Sequence, residues 1–258
     1  TGKLKWKKKH SSSFNSQIKT FEDKVLVIDM ENKLRCFSLK TGDLLWSVKT
    51  QQSLLRSQKK QSLILNNDKV YFSNSIGDVT AVNISSGKII WQTPTQSNVS
   101  FGNTYFLKSS DIVSDKSSIF FSNNNNQFFS INVKSGNFEW INKVNSSVRP
   151  TLVGNFLITV SLQGYLTVID KITGNIIKVT DVFNNFNPKK RDEIFPTGFV
   201  VGQKNIYLST NTGRLLVIDI KSGKTISTLK IDSEKISRPF ILNENLYLVK
   251  DNAIIKLN

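Results

Sequence analysis

AVNISSGKIIW, residues Ala81–Trp91, decides the fold, because the chain repeats it. The same frame returns without gaps as CFSLKTGDLLW at Cys36–Trp46, SINVKSGNFEW at Ser130–Trp140, VIDKITGNIIK at Val168–Lys178 and VIDIKSGKTIS at Val217–Ser227. A partial copy, TGKLKW, opens the chain at Thr1–Trp6. The anchoring glycines are Gly2, Gly42, Gly87, Gly136, Gly174 and Gly223, a period of roughly forty to fifty residues that marks a propeller or solenoid. All four tryptophans, Trp6, Trp46, Trp91 and Trp140, stand four residues after such a glycine, whereas Lys178 and Ser227 occupy that place in the last two copies.

Each unit reads as antiparallel strands. An alternating run such as Lys69–Asn74 or Asn205–Thr210 meets a short polar turn, Ile76-Gly77-Asp78, Gln163-Gly164 or Thr212-Gly213, and a second run follows. Then comes the Ser/Thr-Gly turn and a last strand. Four residues before each repeat glycine stands Ser38, Asn83, Asn132, Asp170 or Asp219, a short polar side chain suited to bonding the turn backbone while glycine takes positive φ. Asp170 and Asp219 are therefore turn caps rather than catalytic or metal carboxylates, since Ser and Asn serve at the same place. An innermost strand precedes each hairpin, at Ser62-LILN, Ile112-VSD, Pro150-TLVG, Thr197-GFVVG and Pro239-FILN. Four antiparallel strands repeated radially make a propeller blade. No helical apolar period is sustained.

The expected fold is thus an all-β propeller of four-stranded blades, six represented, in one domain over 1–258. The last unit, 236–258, is incomplete, ending with a third strand at Ala253-IIKL. The opening segment, 1–10, is expected as the strand that closes that last blade or ends a missing one, because sealing a sheet removes exposed edges. Either the ring has six blades or the chain is the C-terminal part of a longer ring. Thr1 in place of an initiator Met predicts a cut or processed N-terminus, with any targeting or lipid-anchor signal upstream.

Composition narrows the chemistry. Cys36 is the only cysteine and His10 the only histidine, which excludes an internal disulfide and Cys/His zinc sites. His10 lies in a basic stretch expected to be mobile, a poor place for the fixed base of a nucleophilic triad. The formal charge is +16, yet arginine appears only six times (Arg35, Arg56, Arg149, Arg191, Arg214, Arg238). A lysine-rich, dispersed charge reads as a solvated surface before it reads as a base-reading face, which favours arginine. A basic nucleic-acid or anionic-surface binder stays open as an alternative, through Lys7-Lys8-Lys9, Lys59-Lys60 and Lys189-Lys190-Arg191. The last group sits in a loop-like insertion, Asp181 to Ile194, whose Phe183 and Phe186 are expected to pack.

The pattern Ala81-x-Asn83-x-x-Ser86-Gly87-x-x-x-Trp91 resembles the tryptophan-docking repeat of pyrroloquinoline-quinone (PQQ)-like propellers, in which the Trp packs between blades. Among these the chain is most similar to the BamB family, the propeller lipoproteins of the outer-membrane β-barrel assembly machine. Three features carry that likeness: the loop Gln52-Ser-Leu-Leu55-Arg56-Ser57 after Trp46, the long connection Thr93 to Ser110, and the closing segment Ser237-Arg-Pro-Phe with Tyr247-LVKDNAIIKL. Family members have eight blades, so the resemblance implies two further blades upstream.

It also implies a non-enzymatic scaffold without cofactor at the periplasmic face of the outer membrane. The implied partner is the periplasmic domain of the barrel insertase, with unfolded barrel proteins as clients. The implied partner-binding residues are Leu54, Leu55 and Arg56. Leu55 and Arg56 match the family's Leu-x-Leu-Arg-Gly loop; Ser53 stands at its first Leu, with Leu54 shifted by one, and Ser57 at its Gly. Asp111 lies near the place of the family's acidic pair. A leucine pair beside an arginine has hot-spot character, although the leucines would equally serve to cap a blade core. The other resemblance-based alternative, a quinoprotein dehydrogenase relative, needs a calcium site, carboxylates near the quinone and often a vicinal disulfide, and a single cysteine excludes the last.

Overall fold

The computed structural model describes residues 2–51, 59–95 and 108–257. Its strands form six antiparallel sheets, five of four strands and one of three. They are the blades of a β-propeller. Blade 1 comprises β1 (Lys19–Phe21), β2 (Lys24–Ile28), β3 (Lys33–Ser38) and β4 (Leu44–Lys49). Blade 2 comprises β5 (Leu63–Asn66), β6 (Lys69–Ser73), β7 (Val79–Asn83) and β8 (Ile89–Thr93). Blade 3 comprises β9 (Val113–Ser114), β10 (Ser118–Asn123), β11 (Gln127–Asn132) and β12 (Phe138–Asn142). Blade 4 comprises β13 (Thr151–Val153), β14 (Phe156–Val160), β15 (Tyr165–Asp170) and β16 (Ile176–Asp181). Blade 5 comprises β17 (Pro196–Val201), β18 (Asn205–Thr210), β19 (Arg214–Asp219) and β20 (Thr225–Lys230). Blade 6 has β21 (Phe240–Leu242), β22 (Asn245–Lys250) and β23 (Ala253–Leu257). The strand expected over 1–10 joins no sheet among the described residues.

The chain divides into two compact units, residues 1–121 with 129–139, and residues 122–128 with 140–258. In the first unit one core joins blades 1 and 2 through Leu26, Leu34, Val70 and Phe72, and another joins blades 2 and 3 through Tyr71, Ala81, Phe121 and Phe129. In the second unit Val160, Leu166, Phe199 and Leu216 join blades 4 and 5, and Leu215, Ile236 and Leu248 join blades 5 and 6. Strand β10 is buried at all six positions, without the in-out alternation of a half-exposed sheet. Each such Phe or Leu contributes about 1.5–3 kcal/mol of burial.

The repeat glycine works as the local chemistry requires. The N–H groups of Gly42, Gly87, Gly136, Gly174 and Gly223 donate to the carbonyls of Ser38, Asn83, Asn132, Asp170 and Asp219 at 2.8–2.9 Å. The side chains of those five residues accept the N–H three positions on, for example Ser86 N to Asn83 Oδ1 at 2.9 Å and Ser222 N to Asp219 Oδ1 at 2.7 Å. Asp170 and Asp219 are turn caps. These backbone N–H groups, from Thr173 and Ser222, hold both carboxyls below the ordinary Asp value.

Each tryptophan docks on the turn of the following blade. Indole Nε1 of Trp6, Trp46, Trp91 and Trp140 donates to the carbonyls of Leu39, Ile84, Val133 and Lys171 at 2.9–3.1 Å. Each ring lies flat on a glycine: a Cβ at Gly136 would approach Trp91 to 2.6 Å, and φ there is +75°. A recurrent β-bulge prepares this contact. The register shifts between Cys36 and Phe37, Ala81 and Val82, Val168 and Ile169, and Val217 and Ile218. The unpaired residues opposite are Leu45, Ile90, Ile177 and Ile226, each just before the docking position, where a bulge re-aims the next side chain.

Candidate functional site

The three implied contact residues, Leu54, Leu55 and Arg56, lie outside the described residues. The residues on either side, up to Gln51 and from Lys59, are described, and both sides are tied to Asn32 or its partners. Thr50 donates to the Asn32 carbonyl through its N–H at 3.2 Å and its hydroxyl at 3.0 Å. Asn32 Nδ2 donates to Gln51 O at 2.9 Å. On the far side Gln61 donates its side-chain amide to Asn32 Oδ1 and its N–H to Asn15 O at 2.7 Å. Asn15 returns a bond to Lys59 O at 3.2 Å. Asn32 also reaches blade 2, giving a bond to Ser75 Oγ at 2.7 Å and accepting one from Ser75 N at 3.2 Å.

Asn32 can do this because it sits at φ +57° in the β2–β3 turn. Gly77, Gly164 and Gly213 occupy the same place in other blades, and Asn126 in blade 3. Three residues before each stands a polar cap: Asp29, Asn74, Asn123, Ser161 or Thr210. Asp29 is fully buried, and its carboxylate is satisfied on both oxygens. Oδ1 accepts the N–H groups of Glu31 and Lys33 at 2.9 and 3.0 Å; Oδ2 faces Arg35 Nε and Nη2 at 2.9 and 2.8 Å. Truncating Arg35 would leave that charge buried and unpaired, at a cost of about 3–5 kcal/mol. In the sequence this second turn is marked where glycine stands in it, and not where Asn32 or Asn126 replaces the glycine. The signal was present, a short polar residue three places before Asn32 as before Gly77.

The foot of the second long connection lies beside the first. Lys59 Nζ donates to Ser109 O, and Ile112 N donates to Ser62 Oγ at 2.8 Å. Burial pulls the Lys59 ammonium below its ordinary value, with Asp111 partly offsetting and Lys108 adding to the shift. Asp111 therefore faces Lys59 electrostatically, within this foot. At the connection's other end, Thr95 Oγ1 donates to Gly77 O at 3.0 Å. The described residues that flank 52–58 and 96–107 are thus tied into one hydrogen-bonded frame on the first unit.

The other sequence candidates resolve into packing. Phe183 is fully buried and meets Phe186 edge-on at 5.3 Å. The insertion contains one short helix, α1 (Pro188–Arg191), capped by Asn187. Arg191 is bound to Asp181 by Nη1–Oδ2 at 2.7 Å and Nη2–Oδ1 at 2.8 Å. His10, expected to be mobile, packs between the rings of Phe14 and Phe37 at 5.0 Å each. Among the described residues no group of three or more His, Cys, Asp or Glu side chains is arranged to hold a metal ion. Nor is any helix long and apolar enough to cross a membrane.

Comparison with known proteins gives one consistent picture. Residues 1–180 match the family described as outer membrane protein assembly factor BamB. The outer membrane protein assembly factor BamB of Legionella pneumophila is 24% identical over 204 residues, which cover 75% of this chain and 48% of that protein. The chain thus spans about half the length of that relative. The crystal structure of BamB from Moraxella catarrhalis superposes with a TM-score of 0.82 at 16% identity, over 99% of this chain and 75% of that one. The same fold recurs in Sqt1 of Saccharomyces cerevisiae, with a TM-score of 0.72 at 13% identity, over 92% and 68% of the two chains.

Proposed function

The chain belongs to the family of the outer membrane protein assembly factor BamB, and from that premise we propose that it is a non-enzymatic scaffold assisting assembly of β-barrel proteins at the periplasmic face of the outer membrane. The observation that carries this reading is the hydrogen-bonded frame within the matched region. Asn32, Asn15 and Gln61 tie down Gln51 and Lys59, the residues that flank the segment bearing Leu54, Leu55 and Arg56. A segment anchored at both ends loses less entropy on binding than a free one, so a few side chains suffice for affinity. Leucine supplies the buried apolar surface and arginine a forked donor. The partner proposed is the periplasmic domain of the barrel insertase, with unfolded barrel strands as clients.

The test is a pull-down with that purified periplasmic domain. Replacing Leu55 and Arg56 together by alanine is expected to abolish capture while leaving the circular-dichroism melt within about 0.5 kcal/mol of the parent, as for surface positions. Undiminished capture would remove the loop from the interface. Loss of the fold would assign the leucines to the blade core instead.

A further inference from the structure

A cleft of about 430 Å3 opens in the second unit, and neither the docking repeat nor the partner loop uses it. Its volume is that of a small ligand site, which typically spans about 300–1,000 Å3. Blade 4 supplies one wall, through Tyr165 of β15 and Ile176 and Val179 of β16. The connector after β12 supplies Lys143 and Asn145, and the β14–β15 turn supplies Gln163.

Three observations define its chemistry. First, no carboxylate lines it, and Lys143 is its one cation. Second, its apolar wall is exposed: Val179 is 53% accessible and Ile176 46%. On the same strand, Lys178 reaches Lys221 O at 2.9 Å, and Thr180 Oγ1 lies where a Cβ on Gly223 would meet it at 2.8 Å, so those two serve the blade 5 turn and leave Ile176 and Val179 to the cleft. Third, the aromatic wall is held in place. The Arg191 guanidinium lies 5.6 Å from the Tyr165 ring centroid, and Asp181 at the end of β16 grips Arg191 with both oxygens. The insertion over Asp181 to Ile194 thereby stiffens the cleft. In addition, Asn145 Oδ1 is buried with no donor among the described residues, an acceptor that a bound N–H or a bridging water would satisfy.

β16 is also an end strand of its sheet. We propose that this cleft receives an extended acidic peptide. The peptide backbone adds to the edge of β16, one carboxylate side chain sits at Lys143, and its apolar neighbour covers Ile176, Val179 and Tyr165. Edge addition supplies main-chain hydrogen bonds, and alternate side chains supply selectivity. The charge complementarity of a lone lysine without a competing carboxylate selects the acidic sequence. None of this depends on residues 52–58.

The experiment is fluorescence anisotropy of the full chain with a labelled, capped pentapeptide alternating valine with glutamate, and with its lysine counterpart. The glutamate peptide is expected to bind about tenfold or more tighter than the lysine peptide, and Lys143→Glu to reverse that order. Val179→Asp should abolish glutamate-peptide binding. Circular dichroism shows that each variant is folded, and Lys143→Gln gives a second, neutral variant that should bind both peptides alike. Equal binding of the two peptides by the parent, or binding indifferent to Lys143→Glu, overturns the proposal. Hexanoate competing as well as the peptide, residue for residue, also overturns it, since a simple carboxylate site would then suffice.

Discussion

Four joints in this protein are made by tryptophan and a fifth by lysine, on one and the same turn. In the Trp91 joint an indole lies against Gly136, donates to Val133 O at 3.1 Å, and contacts Tyr71 at a centroid distance of 5.7 Å. In the Lys178 joint the turn at Gly223 has the same cap and the same positive φ, but no ring covers it. The Lys178 ammonium reaches Lys221 O, one residue later than the carbonyls the indoles choose. The difference separates two tasks that tryptophan performs together. The hydrogen bond can be kept by any long donor. The cover over the glycine changes with it: an indole lies at Gly136, whereas Thr180 and Leu166 are the side chains nearest Gly223.

The largest effect should follow from breaking a tryptophan joint. Trp91→Ala is expected to cost about 3 kcal/mol in a urea melt followed by circular dichroism, because ring burial, the tilted contact with Tyr71 and the hydrogen bond are lost together. Lys178→Ala should cost about 0.5–1 kcal/mol, the net value of one hydrogen bond. Equal costs would mean that the lysine joint carries packing not evident in its contacts.

Acid should produce a smaller, local effect that sharpens the contrast. Caps Ser38, Asn83 and Asn132 do not titrate as carboxylates, whereas Asp170 and Asp219 do. Their folded carboxyls titrate below the ordinary value, so the folded state binds those protons more weakly than the unfolded chain. Their contribution is complete above the reference 3.8 and is lost as the pH falls through the lowered folded values. In exchange measurements corrected for intrinsic rates, the amides of Gly174 and Gly223 should lose protection in acid before those of Gly87 and Gly136. Asp170→Asn with Asp219→Asn should abolish that difference. Asp232, drawn down to about 2 chiefly by Lys250, titrates later still and is untouched by these substitutions.

The smallest effect is expected at Cys36, which pairs across from Trp46 in blade 1. Burial pushes its thiol up to about 11. At pH 8 roughly one thiol in a thousand is then ionised, and labelling by a chromogenic disulfide should be slow. Trp46→Ala should accelerate labelling by opening the adjacent joint. Lys178→Ala should leave the rate unchanged; acceleration by both would mean that the joints do not open independently.

Much of the blade was legible beforehand because its signals are local. The Ser/Thr-Gly turn, its polar cap and the innermost strands stand where their residues indicate. The second turn was half legible, since only the glycine versions announce themselves; Asn32 and Asn126 take the same left-handed conformation less visibly. For the partner loop, a resemblance in Leu55 and Arg56 was readable, but nothing in a sequence shows that Asn15, Asn32 and Gln61 would gather its feet. Asn15 precedes β1, Asn32 lies in the β2–β3 turn and Gln61 precedes β5.

The sequence by itself determined the unit: a left-handed glycine, a cap four residues earlier and an aromatic four residues later make one turn whose geometry closes within a few covalent links. Tertiary structure alone decided where each tryptophan goes. The acceptors lie 31 to 42 residues away on the next blade, and a bulge at Leu45 or Ile90 aims the ring toward them. It also turned Arg191 from a suspected anion-binding residue into the clamp on Tyr165, because Asp181 accepts hydrogen bonds from both of its Nη atoms. Contacts made within a turn are encoded by spacing, whereas contacts between blades depend on which surfaces packing brings together.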